Sequence, residues 1–408
     1  MKRAGNFVGA VLMLVACGGE AGGPGLSVEA FARWEAGEPD VRIGSVAGEI
    51  FLGRVLDGAI GPDGGVYVLD GQEAAVRVFD ETGRPLRTVG RKGAGPGEFA
   101  TPRRMGFLGD TLWVWDASQR RVTLFESGET FLATVPVPTA ESLAEDVAQG
   151  FGGLASHGKA LISTRSLSPI LPSTDRFPLL VMDRDGGIGT DTIAALDQRH
   201  ASAVFIALTG GGTWSPSGSN RSLPSPDQIR SIEVASQPFS DISVWDVTSA
   251  GESVVMVDRN AADVAGDHAY TFTRVRLTGD TTFSVRRPYQ PIAIPAAVTD
   301  SIVARYTRTF DEAVIRDVLF LPPFYPPVDA VVAGRDGTIW LGREAVAGAS
   351  TQRWEVFDDA GEPLAALDLP AGLTVHDAAA DAIWGVVTDD LDVPYVVRIP
   401  IRPSLSDR

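Results

Sequence analysis

The chain has 408 residues, with 35 basic and 52 acidic side chains and a net charge of −17. An acidic chain repels the phosphates of nucleic acid and of anionic lipid headgroups, so both are excluded as partners. With 44% hydrophobic residues it is long enough to bury a large core unaided, and a single cysteine excludes an internal disulfide.

Lys2 and Arg3 open the chain, an apolar run follows at 7–15, and the small residues Ala16 and Gly18 flank Cys17. A basic start, a short apolar run and small residues at the cut form a secretory signal. Spanning hydrocarbon takes about 20 apolar residues, so no transmembrane helix is expected in the mature chain. The run Leu14-Val15-Ala16-Cys17 resembles the lipobox of bacterial lipoproteins. The resemblance implies that 1–16 is a signal peptide and that Cys17 becomes a lipid-carrying N-terminus. It places the protein in the bacterial cell envelope, lipid-anchored on the periplasmic or outer-membrane side. Residues 17–40, opening on a glycine-rich stretch, read as a lipidated flexible tether.

The body, 41–403, is built on a repeat. The stretches 61–89, 109–135 and 334–367 each read strand, loop, strand, tight turn, strand. β-Branched and aromatic runs supply the strands. Thr82-Gly83, Ser127-Gly128 and Ala360-Gly361 supply the positive φ of hairpin turns. Weaker copies occupy 160–194, 253–285 and 382–399. Asp70 and Asp116, at matching places, lie 46 residues apart, the length of a propeller blade. Six copies can be counted, the last without an outer strand, while the run from Val41 to Val46 has no copy of its own. The sequence therefore predicts an all-β fold, a six-bladed β-propeller of four-stranded blades closed by the N-terminal strand, because closure removes exposed sheet edges. The stretch 197–238 leaves room for a decayed seventh copy.

Between the first two copies stand Gly90, Gly93, Gly95, Gly97, Glu98, Phe99 and Pro102. This pattern resembles the inter-blade linker of NHL-type repeats, and the whole chain is similar to the six-bladed β-propeller lipoproteins of bacteria. The glycines read as a turn and Phe99 as a plug between blades. No Gly-Lys-Ser/Thr follows, so the loop is not a phosphate cradle.

Two insertions break the period. The first, about 197–238, contains Phe205 and Trp214 and reads as a flap or a ligand lid, with Trp214 a candidate ligand contact. The second, about 294–327, carries Val298, Ile302, Tyr306, Phe310 and Val314 at a four-residue spacing, which predicts one helix starting after Pro295. Prolines at 322, 323, 326 and 327 stop it.

The innermost strands open on Asp57, Asp146, Asp241, Asp329 and Asp377, with Arg103 and Arg104 as the basic exception. In a propeller these positions surround the mouth of the central channel. Converging carboxylates recruit a hard cation such as calcium. The same residues could instead accept backbone N–H groups at each strand entrance. Arg103 and Arg104 are candidate ligand contacts. Asp70, Asp116 and Asp258 end second strands and read as turn residues. His157, His200, His268 and His376 lack metal-ligand spacing, and no Gly-x-Ser-x-Gly elbow occurs. The reading is a binding or scaffold module for a protein, peptide or glycan rather than an enzyme. The alternative, implied by similarity to lactonase propellers, is a calcium-dependent hydrolase or lactonase with its site at the channel mouth.

Overall fold

The computed structural model describes residues 31–45, 50–137, 147–156, 159–166, 176–183, 188–197, 200, 202–215, 224–259 and 268–404; for 147–150, 164–166, 188–191 and 202 only the backbone is described. Cys17, Asp146 and His157 lie outside the described residues.

Four-stranded antiparallel sheets follow one another along the chain. The first is Val55–Ile60, Val66–Asp70, Ala75–Phe79 and Pro85–Val89. The second is Pro102–Leu108, Thr111–Asp116, Arg121–Glu126 and Thr130–Pro136. The third is Val147–Ala155, Lys159–Ser166, Arg176–Met182 and Ile188–Asp197. The fourth is Val244–Val247, Ser253–Asp258, Ala269–Arg276 and Thr281–Pro288. The fifth is Ala330–Ala333, Ile339–Gly342, Thr351–Phe357 and Pro363–Pro370. A sixth group holds Thr374–Ala378, Ala382–Thr388 and Pro394–Pro403.

Turn chemistry repeats as the sequence predicts. Asp80 accepts the N–H groups of Thr82 and Arg84, both at 2.9 Å, and Gly83 takes φ +85°. Asp358 does the same for Ala360 and Glu362, at 2.9 and 2.8 Å, with Gly361 also at φ +85°. Asp70 and Asp116 each accept two N–H groups from the turn that follows. Asp258 accepts from Ser243 Oγ at 2.7 Å and pairs with Arg176 at 3.4 Å, so it also joins strands; residues 260–267, where its turn would lie, are outside the described residues.

The core lies in the seams between sheets. Tyr67 and Val78 of the first sheet meet Leu112 and Phe125 of the second around Phe99, which is fully buried. Gly90, at φ +73°, must be glycine there, because a Cβ would fall 2.3 Å from the Phe99 ring. Equivalent clusters join the second sheet to the third, the third to the fourth, the fourth to the fifth and the fifth to the sixth. The ring closes where Trp384 and Val396 of the sixth group pack on Val66 and Phe79 of the first. The innermost strands neighbour one another in the same cyclic order. The fold is a β-propeller.

Closure uses the N-terminal segment. Val41–Ile43 pairs antiparallel with Pro394–Pro403, Val41 opposite Arg398 and Ile43 opposite Val396, and takes the missing outer place. Residues 32–36, expected within the flexible tether, instead form a strand. Ala32–Ala36 runs antiparallel to the end of Pro394–Pro403 and parallel to Pro363–Pro370, zipping the fifth sheet to the sixth.

The two insertions form one unit. Ser202–Leu208 pairs with Thr213–Trp214 on one side and Ile229–Ser236 on the other, a three-stranded sheet outside the ring. Phe205 is fully buried among Val303, Phe310 and Ile315 of the second insertion. The single expected helix is two, Ala296–Ala304 and Glu312–Val318. A strict four-residue spacing drifts around a helix of 3.6 residues per turn and cannot hold one face. The break between the helices lets Val303, Phe310, Ile315 and Leu319 all reach the inserted sheet. Gln237 fastens the two segments, donating to Val318 O at 3.0 Å and accepting from Phe320 N at 2.7 Å.

Candidate functional site at the central channel

The innermost strand of each sheet has one edge without a ladder partner, so its N–H groups need other acceptors. Three aspartates supply them across the seams. Asp57 Oδ2 accepts from Met105 N at 3.0 Å, and Asp246 Oδ2 accepts from Ala333 N at 2.9 Å. Asp377 Oδ2 reaches Ile60 N at 3.5 Å. In each case a carboxylate on one innermost strand staples the next.

A cavity of about 260 Å³ opens at the axis, lined from all the innermost strands. Its ionisable side chains are Asp57, Arg104, Asp246 and His376, with the hydroxyls of Thr248 and Ser249 also on the lining. Glycines Gly152 and Gly153 stand on the wall of the third sheet. A Cβ on Gly152 would fall 2.2 Å from the Trp245 ring, so glycine is needed for the fourth sheet to pack against it. Arg104 donates from Nη1 to Gly152 O at 2.7 Å, and no carboxylate of the described residues lies within ion-pair distance of it. His376 shares Nδ1 with Asp57 Oδ1 at 3.1 Å. Asp57 Oδ1 also accepts from Gly58 N at 3.0 Å, and Asp246 Oδ1 from Val247 N at 2.8 Å. Every oxygen of the two channel carboxylates is therefore engaged. Burial pushes the Asp246 carboxyl above the usual carboxylate range, while the Ala333 N–H and the Arg104 charge oppose it and Asp57 adds to it.

The structure separates the residues expected to form an acidic mouth. Only Asp57 and Arg104 of the set line the cavity. Arg103 is exposed beside them. Asp241 is 2% exposed and binds His200 Nδ1 at 2.7 Å. Asp329 is exposed ahead of the fifth sheet. Asp377 pairs with Arg335, and burial raises its carboxyl against the pull of that guanidinium. Asp146 lies outside the described residues. Trp214 sits half-buried in the inserted sheet opposite Ile206, away from the channel lining. Among the described residues no three His, Cys, Asp or Glu side chains are grouped to hold a metal ion. The reason is register. Asp57 pairs with Leu69, whereas Asp377 pairs with Trp384, the counterpart of Tyr67 in the first copy, so the two lie at different heights. Bulges at Leu56 and His376 add the offset. Asp241 and Asp329 precede their strands altogether.

The sequence does not single out Asp246, and His376 reads there only as a histidine without metal-ligand spacing. The signal lay close by: His376 adjoins Asp377, and Asp246 follows Asp241 by one strand entry. A second constellation sits where the inserted unit meets the fourth and fifth sheets. His200 stacks on Phe320 with centroids 3.7 Å apart while bound to Asp241. Arg259, 6% exposed, donates to Ile242 O at 2.7 Å and Val328 O at 3.2 Å. Burial, with Asp329 adding and Arg259 opposing, pushes the nearby Glu344 carboxyl up to about 7.

Residues 62–142 match the profile of the DUF5128 family, described as a 6-bladed beta-propeller. No curated protein matches the sequence. Among solved structures, a member of the DUF4221 family from Bacteroides vulgatus is similar at 9% identity and a TM-score of 0.49, over 92% of this chain and 100% of that one. A protein of Bacteroides fragilis described as exported is similar at 10% identity and 0.43, over 91% and 95%. A calcium-binding regucalcin from Agrobacterium tumefaciens is similar at 12% identity and 0.38, over 92% and 97%.

Proposed function

We propose that the protein is a six-bladed β-propeller lipoprotein with NHL-like repeats, anchored through Cys17 in the bacterial envelope, and that it works as a binding module. On this reading 1–16 is the signal peptide, 17–31 the tether and 32–403 the propeller. The ligand, from a protein, peptide or glycan, engages the mouth of the central channel. The observation that carries this reading is the cavity shared by all the innermost strands, lined by Arg104, which bonds the Gly152 carbonyl and has no carboxylate within ion-pair distance among the described residues. The channel carboxylates serve backbone donors and His376, and among the described residues no three acids or histidines are grouped to hold a metal ion, which favours binding over calcium-dependent hydrolysis. The alternative is a calcium-dependent lactonase or other hydrolase at the same mouth.

Titration of the purified full chain with calcium, followed by assay against simple lactones, separates the two. The binding reading expects no saturable calcium heat at millimolar metal and no turnover. Saturable calcium uptake with lactone hydrolysis that EDTA abolishes would replace it with the enzymatic one.

A further inference from the structure

Arg104 stands apart in this molecule. The chain carries a net charge of −17, and several arginines find carboxylates, as Arg335 does with Asp377, Arg343 with Glu355, Arg316 with Asp300 and Arg398 with Asp40, while Arg77, Arg121 and Arg259 bond carbonyls away from the channel lining. Arg104 projects into the channel cavity with one N–H given to the Gly152 carbonyl and no carboxylate within ion-pair distance among the described residues. Asp57 stands at the same height on the adjacent strand, since Asp57 and Arg104 pair with the matching residues Leu69 and Trp115. Its carboxylate is nevertheless turned to Met105 N and His376. Asp246, the other channel acid, is turned to Val247 N and Ala333 N. The guanidinium thus has N–H donors left without a partner among the described residues, in a cavity also lined by His376, whose Nε2 has no partner among them.

We propose that the channel takes a small organic carboxylate, held by the Arg104 guanidinium with His376 beside it. A guanidinium presents parallel N–H donors that match a carboxylate bidentately, and such charged pairs are about twice as strong as neutral ones. A cation finds no ready ligand set, because among the described residues no three His, Cys, Asp or Glu side chains are grouped. At about 260 Å³ the cavity falls just below the size of ordinary drug-like sites. It admits a chain terminus or one sugar-acid residue, not a folded partner. This inference rests on the channel being the binding site and adds the chemistry of what enters it. Peptide C-termini and sugar acids share that chemistry.

The test is calorimetric titration of the detergent-purified full chain with N-acetylglycine and glucuronate, each beside its uncharged counterpart, N-acetylglycinamide and glucose. We expect saturable binding of at least one acid, at least tenfold tighter than its counterpart, and the stronger acid assigns the source. Arg104→Gln should weaken that acid tenfold or more, while Arg103→Gln, altering the exposed neighbour, should leave it unchanged. An unchanged thermal midpoint in Arg104→Gln confirms folding; if it falls, Arg104→Lys serves instead and should weaken the acid in the same direction. Equal binding of acid and counterpart, or an acid that ignores the loss of Arg104, overturns the proposal. Inorganic phosphate binding as tightly as the acids also overturns it in favour of a general anion hole. If the uncharged compounds bind and His376→Ala abolishes them, the channel remains the binding site and only the carboxylate falls. If nothing binds, both fall.

Discussion

Glu344 is the side chain whose protonation the fold changes most usefully for experiment. Its carboxyl rises from an ordinary 4.5 to about 7 because burial disfavours the anion, with Asp329 adding and Arg259 opposing. Between those two values the folded protein keeps a proton that the unfolded chain has lost. Stability therefore falls as pH rises through this window, and the cost is complete above about 7. Glu344→Gln should stabilise the protein by roughly 1–3 kcal/mol at pH 8 and by almost nothing at pH 4. Urea midpoints at the two pH values measure this, and a loss of stability at pH 8 would show that Glu344 is needed as the counter-charge of Arg259. At this scale the sequence is legible where the interaction is local. Asp70, Asp80, Asp116 and Asp358 bond N–H groups two to four residues on, so their letters announce their role. His200 and Asp241, 41 positions apart, meet only because the inserted sheet folds back between them, and His376 and Asp57, 319 apart, meet only where the ring closes.

Among the elements, the strand Val41–Ile43 closes the ring by pairing with Pro394–Pro403. Ile43 is 1% exposed in the seam where the sixth group meets the first sheet, packed with Leu52, Val66 and Phe79. Ile43→Ala should cost about 2–4 kcal/mol through lost burial and the cavity left behind. Leu86→Ala, at a side chain 54% exposed, should change stability by under about 0.5 kcal/mol. The difference is read as a urea-midpoint shift at constant m-value; equal effects at both positions would mean that the ring holds without its N-terminal strand. The repeat strands were readable because β-branched and aromatic runs between turn residues carry their own signal. The insertions were readable as interruptions, and the helix start after Pro295 was legible, but their mutual packing was not. Nothing local in 197–238 or 294–327 says that Phe205 will be buried between Val303 and Ile315. That contact also decided the break in the expected helix, since two short helices cover the inserted sheet where a single straight one with a drifting stripe could not.

For the whole molecule, the order of sheets places the N-terminal segment at the closing seam, so an anchor at Cys17 would hold the ring by that side. Cys17→Ser should shift the protein from the membrane to the soluble fraction of the cell envelope and remove the lipid mass seen by intact-protein mass spectrometry. Membrane retention of the variant would refute the anchor. The sequence by itself determined the all-β propeller, the repeat and its turns, and the strand that closes the ring, because each depends on short-range pattern and on the period of copies. Only the tertiary structure decided which polar residues share the channel. Side-chain height on an innermost strand depends on bulges and on pairing register, so aspartates at matching places in the sequence part company in space. Asp57 and Arg104 stay on the channel, His376 and Asp246 join them, and Asp241, Asp329 and Asp377 go to the seams and the surface.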